Sequence, residues 1–414
     1  MAMLDGSEGR DGDCGTRFTC FGEAMLRFMP DPSDTGTERN TSRWLKGAGG
    51  AELNITVALA QLGWGERARW VSVVPVGLMG DELLELVGKA YPDGSGKGNL
   101  RLVRREPGDL GIYQVWPARH QIWYQRSHSI FGLMDPDWFS VTFWKEVLSS
   151  AVAQTGGETE PPHVLHLTGI TPLVSLKARQ AWSQALQAAR EVREGRGRIV
   201  VTLDLNHRPA LGTWEDLWAI VQPQVDALDL LVLSVGDLTK LGSVLTIPEV
   251  AAVTAIDRSE GIKGAPSLDD AVKTSIAALQ ARLGHKAAIA VTCKCRDASE
   301  GPGTSPKQLR WSVVCLQDGT VVSTFSSAVT QRVREEIGGG DSWLSGLIDG
   351  LVGARATAAA APKWTKEMWQ AAMNRGDLLA ALKQTEVGDF SSTEKGELDR
   401  SVALHSEGRL GVVQ

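Results

Sequence analysis

Short runs of consecutive apolar residues recur along the chain, separated by stretches in which apolar residues return every three or four positions. Residues 19–22, 70–74, 164–167, 199–203, 230–233 and 287–292 form the runs and read as strands. Residues 51–62, 81–90, 177–190 and 268–282 carry the helical period. Strands that alternate with amphipathic helices predict βαβ units. The expected fold is therefore α/β, with a mainly parallel sheet and helices on both faces. Such sheets bind ligands beyond the carboxyl ends of their strands.

Two regions break the alternation. Residues 100–126 hold three short strand-like pieces (LRLVRR, GIYQVW, QIWYQR) with no helix between them, and residues 27–46 are polar, with Pro, Gly and Thr. Together they predict a small β-subdomain projecting from the main sheet, built from segments at about 27–48 and 100–130. Residues 91–97 and 154–162 read as low-complexity insertions. Residues 246–266 read as an irregular stretch and 296–306 as a polar loop. Residues 1–15, polar and acidic, read as a tail before one domain spanning 16–398, and 399–414 as a C-terminal tail.

Composition narrows the function classes. The chain has 414 residues and a formal net charge of −6, with no block of Lys and Arg. That balance argues against a nucleic-acid partner. No apolar run approaches the roughly 20 residues of a membrane helix, so no membrane partner is expected. Five cysteines at irregular spacing do not make a disulfide framework. Cys293 and Cys295 lack the second pair that a zinc site needs. Reduced thiols and a cytoplasmic location are the expectation.

The densest chemistry lies in EEIGGGDSW, residues 335–343. Glycines let backbone N–H groups crowd an anion, and a helix start adds free N–H groups and a positive dipole end. A carboxylate beside that cradle, Asp341, could take a proton from a hydroxyl while Gly338, Gly339 and Gly340 hold a phosphate. The same residues could equally be an ordinary glycine turn and helix cap. Residues 47–63 (GAGGAELNITVALAQLG) place glycines before Asn54 and a helix, which suits a polyol or merely begins a helix. In TLDLNHRP, residues 202–209, Asp204, Asn206, His207 and Arg208 follow a strand directly. Arg208 could clamp a carboxylate or phosphate; His207 reads as a neutral loop histidine. Tyr124 and Arg126 share a strand face, with Tyr113 nearby, and a phenol beside a guanidinium suits an acidic sugar. An amphipathic ribbon edge has the same pattern.

These motifs, in this order and about 290 residues apart, resemble the PfkB/ribokinase family of sugar kinases. GGAELNITVALAQLG resembles that family's N-terminal glycine–asparagine motif, and EEIGGGDSWLSGLIDGL its C-terminal motif. The likeness is to the bacterial form of 2-keto-3-deoxygluconate kinases, which also carries GGGD. It extends to FGEAMLRF, HLTGITPLV, LDLNHRPALGTW, LRWSVVCLQDG and ALKQTEVGDF. The resemblance implies a three-layer α/β/α ribokinase-like domain with a small β-sheet lid. It implies transfer of the γ-phosphoryl group of MgATP to the terminal hydroxyl of 2-keto-3-deoxy-D-gluconate. By the same inference Asp341 is the base, and the backbone of Gly338, Gly339 and Gly340 is the anion hole. Gly49, Gly50 and Asn54 hold the sugar, and Tyr113, Tyr124, Arg126 and Arg208 address its hydroxyls, keto group and carboxylate. Asn206, Ser234, Gly338 and Gly340 face the nucleotide, and Asp237 the Mg²⁺. A homo-oligomer paired through the lid is also implied.

The chain departs from the family pattern at four places. Glu335 replaces the aspartate that opens the second motif. Ser234 and Asp237 stand where the family has N-x-x-E, and Trp343 stands where it has Phe. Residues 292–306, on the adenine side, match poorly, so ATP as donor follows from the resemblance alone. A fructokinase-like enzyme, or a weakened family member acting as a binding or scaffold protein, are the competing expectations.

Overall fold

The computed structural model describes residues 15–31, 42–119, 121–149, 162–195, 197–256, 258–296, 307–325, 328–357, 364–406 and 412–413. Its strands are β1 (Arg17–Phe21), β2 (Met25–Pro30), β3 (Trp44–Gly49), β4 (Ala68–Pro75), β5 (Val103–Glu106), β6 (Ile112–Trp116), β7 (Gln121–Gln125) and β8 (His163–Thr168). They continue with β9 (Ile199–Asp204), β10 (Leu230–Ser234), β11 (Ala288–Arg296), β12 (Gln308–Cys315), β13 (Val321–Ser323), β14 (Ala328–Thr330) and β15 (Val412–Val413). The large sheet runs β15-β14-β12-β11-β10-β9-β8-β1-β4-β5, with β13 beside β12. From β11 to β5 every neighbouring pair is parallel.

Strands buried on both faces read as unbroken apolar runs, because neither face meets water. β10 illustrates this. Leu231 and Leu233 enter one core, and Leu230 and Val232 enter the other. The first core is closed by the helices Leu176–Glu194 and Ala265–Arg282, through Trp182, Leu186, Val272 and Ile276. The second is closed by Ala51–Leu59, Gly339–Thr357 and Lys366–Lys383, through Leu53, Val57, Trp343, Leu347 and Leu379. Each such buried side chain stabilises the fold by about 1.5–3 kcal/mol. The three layers expected from the sequence are therefore present. No helix among the described residues is long and apolar enough to cross a membrane.

A second, four-stranded sheet has the order β3-β2-β6-β7. Met25, Met29, Tyr113 and Val115 form its own small core. This is the expected small β-subdomain, with two changes of boundary. It begins at Met25 rather than 27. Of the segment drawn at 100–130, β5 belongs to the large sheet, paired in parallel with β4. The reason lies in its flanks: Leu100 and Val103 pack on one core and Leu102 on the other, so this piece closes the sheet edge.

Two other expectations change. The tail drawn at 399–414 begins inside a helix, Lys395–Ser406, anchored by Leu398, which is buried in the second core. β15 also pairs with β14. The stretch 246–266 contains the helix Val250–Ala255, with Val250 and Val253 buried, and the start of Ala265–Arg282. Most of 154–162 and of 296–306, residues 1–14, and 32–41 of the first lid segment lie outside the described residues.

Candidate active site

A cleft of 760 Å³ opens at the carboxyl ends of β9, β10 and β11, beneath the small sheet. Asp204 and Ser234 close β9 and β10 on its floor, and Tyr113, Ile122 and Tyr124 reach it from above. Asp341, Gly338 and Gly340 line it, as do Gly49, Gly50, Asn54, Tyr113, Tyr124, Arg126, Asn206, Arg208, Ser234 and Asp237. Gly339 does not. It is buried, and its N–H is committed to the carbonyl oxygen of Glu336 at 3.2 Å. The expectation that Gly339 forms part of the anion hole is corrected accordingly. Ser342 N–H bonds to Gly338 O at 2.9 Å. Between them lie the N–H groups of Gly340 and Asp341, in the first helical turn, where no intrahelical acceptor exists. Both residues line the cleft.

The glycine turn has a steric cause. Gly338 has φ +78°, and a Cβ there would collide with the carbonyl oxygen of Asp389. Gly340 meets nothing within 4 Å at its Cβ position, so the turn is open on the cleft side. Asp341 follows at the head of the helix Gly339–Thr357. Asn54 Nδ2 donates to Asp341 Oδ2 at 2.7 Å. The orientation of Asn54 is fixed by its other end, where Gly50 N–H donates to Oδ1 at 3.3 Å. Asn54 thus holds the carboxylate while lining the cleft itself. Burial pushes the Asp341 pKa up to about 7; the Asn54 hydrogen bond opposes the shift and the Asp389 charge adds to it. A carboxylate at about 7 is matched to proton abstraction near neutral pH.

On the side of the small sheet, the rings of Tyr113 and Tyr124 stack at 5.8 Å between centroids. A side chain at Gly49 would strike both the Tyr113 hydroxyl and the Asp389 carboxylate, so close approach of backbone requires glycine there. Arg126 is ion-paired with Glu23, with side-chain exposures of 10% and 3%. Arg208 makes no ion pair among the described residues and donates only a long 3.4 Å bond to the His207 carbonyl. His207 also lines the cleft, bonding the Gly212 carbonyl at 2.8 Å and packing on Trp214.

The ends of β9 and β10 are tightly organised. Asn206 adopts φ +40° and its N–H donates to Asp204 Oδ1 at 3.0 Å. Asp237 Oδ2 accepts from Ser234 N at 2.9 Å and from Ser234 Oγ at 2.8 Å, while Asp237 N donates to Ser234 Oγ at 3.1 Å. Ser234 and Asp237 therefore form a reciprocal capping box for the helix Val235–Val244. Burial raises the Asp237 pKa; it also raises that of Asp204, further pushed by the charges of Asp237 and Asp341. Asp204 and Asp237 both line the cleft, and two neighbouring carboxylates fit a divalent cation. No group of three potential ligands occurs among the described residues. The donor set thus suits Mg²⁺ held chiefly by phosphate oxygens and water, with Asp237 and Asp204 alongside.

Several site residues escaped the sequence reading. Glu23 and Asp389 line the cleft, and burial raises the Asp389 pKa to about 6 against the pull of Arg27. Glu52, inside the GGAELN motif, accepts from Thr168 Oγ1 at 2.6 Å and Thr171 Oγ1 at 3.2 Å. Glu335 is ion-paired with Arg27 of β2 and accepts from Gly388 N at 2.8 Å. It fastens the small sheet to the loop after the helix Lys366–Lys383. Each lies inside a motif already quoted, Glu23 in FGEAMLRF, Glu52 in GGAELN, Asp389 in ALKQTEVGDF and Glu335 in EEIGGGDSW, but none was given a role in the cleft.

No protein-family model matches the chain. Solved structures do. A 2-dehydro-3-deoxygluconokinase from Thermotoga maritima is 20% identical with a TM-score of 0.67, over 94% of this chain and 99% of that one. A putative 2-keto-3-deoxygluconate kinase from Enterococcus faecalis is 17% identical, TM-score 0.60, over 97% and 99%. A fructokinase with bound ATP from Xylella fastidiosa is also 17% identical, TM-score 0.59, over 94% and 99%. At this identity the likeness is one of fold, and the fold is the ribokinase-like α/β architecture that the sequence resemblance implied.

Proposed function

We propose that this chain is an ATP-dependent sugar kinase that phosphorylates the terminal hydroxyl of 2-keto-3-deoxy-D-gluconate. The observation that carries the reading is Asp341. It heads a helix behind a glycine turn, with a pKa of about 7, in a cleft that also holds Arg208 and Arg126. Proteins of similar fold include 2-keto-3-deoxygluconate kinases and an ATP-bound fructokinase, which supports the reaction class and the donor.

In this reading the sugar lies between the small sheet and Asp341. Arg208 pairs with its carboxylate, and Tyr113 and Tyr124 wall its carbon chain. Asp341 Oδ accepts the proton of the terminal hydroxyl as its oxygen bonds to the γ-phosphorus and the bond from that phosphorus to the bridging oxygen breaks, the oxygen leaving on ADP. The Gly340 and Asp341 N–H groups meet the charge that gathers on the transferring group, aided by the helix dipole. Mg²⁺ neutralises nucleotide phosphate charge when bound, with Asp237 and Asp204 as its protein neighbours. Exposed Trp44, Leu45, Ile122 and Trp123 on the small sheet support pairing of two copies through that sheet.

One observation favours a second reading. Asp237 is committed to the Ser234 cap and Glu335 to Arg27, which suits a binding protein that no longer turns over. ADP release measured across acid and neutral sugars decides between them. The kinase reading expects faster release with 2-keto-3-deoxygluconate than with fructose. Equal or faster release with fructose contradicts the acid-sugar assignment, and no release with any sugar contradicts the kinase.

A further inference from the structure

The cleft also carries a charge cluster that sugar chemistry does not use. Lys294 and Arg296 occupy alternate positions at the end of β11, and alternate strand positions face the same side. Their side chains are 51% and 49% exposed, yet both converge on Glu336. Lys294 Nζ lies 2.9 Å from Glu336 Oε2, and Arg296 Nη2 lies 2.6 Å from Oε1. Gln308 Nε2 donates to the same Oε1 at 2.6 Å. Glu336 also accepts the Gly339 N–H on its carbonyl oxygen, so its carboxylate and the glycine turn belong to one loop. All four side chains line the cleft that contains Gly340 and Asp341. Burial alone would raise the Glu336 pKa, but Lys294 and Arg296 override it and bring it to about 2. The group is a carboxylate at any working pH.

Exposed ion pairs contribute little to stability, so this convergence has no sufficient structural reason. The geometry points to an anion subsite: Lys294 and Arg296 bind the terminal phosphates of the nucleoside triphosphate, and Glu336 is the resident counter-anion they leave when the phosphates arrive. This inference rests on the kinase reading and adds to it the residues that set nucleotide affinity. Two cations against one carboxylate leave a net positive charge, which favours a polyanion. The guanidinium fork and the ammonium both match phosphate oxygens better than a single shared carboxylate. Glu336 is 28% exposed, so its carboxylate can turn to water once released. Because it competes with the phosphates, its removal strengthens ATP binding.

The test is direct calorimetric titration with MgATP, and with adenosine as the probe lacking phosphates, without sugar. Wild type, Glu336→Gln and the double variant Lys294→Met/Arg296→Met are compared. Glu336→Gln is expected to lower the ATP Kd about tenfold, and the double variant to raise it about tenfold or more, the range for charge-assisted hydrogen bonds. Adenosine affinity stays within twofold, roughly, in both. A gain of affinity cannot come from a damaged fold. Should Glu336→Gln fail to fold, the double variant's ATP-to-adenosine ratio decides alone. Unchanged or weaker ATP binding in folded Glu336→Gln, or unchanged ATP binding in the double variant, overturns the subsite. If this occurs in an enzyme that releases ADP with a sugar, the kinase reading stands. If the wild type releases none with any sugar and binds no ATP, the kinase reading falls, and the subsite with it.

Discussion

Asn54 donates its side-chain amide to the Asp341 carboxylate across 2.7 Å, joining two glycine-rich motifs 287 positions apart. The bond stabilises the charged form, and so holds the Asp341 pKa below where burial alone would take it. Asn54→Ala should therefore move the acidic limb of the kcat–pH profile upward from about 7. A limb that stays in place or moves down would mean that Asp341 is not the group titrating.

The same raised pKa links the site to stability. A carboxylate whose folded pKa lies above its unfolded value, here about 7 against 3.8, favours the folded state fully only below the unfolded value. That contribution is lost as pH rises through the folded pKa. Asp341→Asn removes the titration and keeps a neutral hydrogen-bonding partner for Asn54. The variant should gain stability relative to wild type between about pH 4 and pH 8. Urea unfolding at both pH values checks this; a constant difference contradicts the assigned pKa.

Arg126 and Arg208 should behave differently, although the sequence presents them alike. Arg126→Met leaves the Glu23 carboxylate buried without its partner, which should cost about 3–5 kcal/mol of stability. Arg208→Ala breaks no ion pair among the described residues. It should leave stability within about 0.5 kcal/mol, and raise KM for the acid sugar by the equivalent of about 1.5–3 kcal/mol. Thermal unfolding together with sugar KM separates the two; an unchanged KM excludes Arg208 from the substrate site.

The capping box bears on the metal. Ser234→Ala should cost about 1 kcal/mol through the lost cap. Introducing Ser234→Asn and Asp237→Glu together keeps a good N-cap and lengthens the acidic arm. The Mg²⁺ concentration needed for half-maximal ADP release should then fall. An unmoved Mg²⁺ titration would assign the pair to the helix start alone.

The central strands were legible because both their faces are buried, which erases alternation and leaves unbroken apolar runs such as residues 230–233. The two glycine motifs were legible because backbone that must approach a ligand or another chain segment admits no Cβ. β5 was misassigned to the small sheet because LRLVRR carries no mark of which sheet edge it joins; only the packing of Leu100, Leu102 and Val103 decides that. The capping box was available locally as S-x-x-D after a strand and was overlooked beside the metal motif. The partners of Arg27, Arg126 and Asn54 were not legible, since each lies about 100 or more positions away and is fixed by tertiary packing alone.

The most direct test is turnover by Asp341→Asn, measured as ADP release with saturating MgATP and 2-keto-3-deoxygluconate. A base that accepts the hydroxyl proton contributes about 10²–10⁴-fold, and asparagine caps a helix about as well as aspartate. The account predicts a loss of turnover in that range, with ATP and sugar still binding the folded variant. Near-normal turnover would contradict it and leave Asp341 a helix cap.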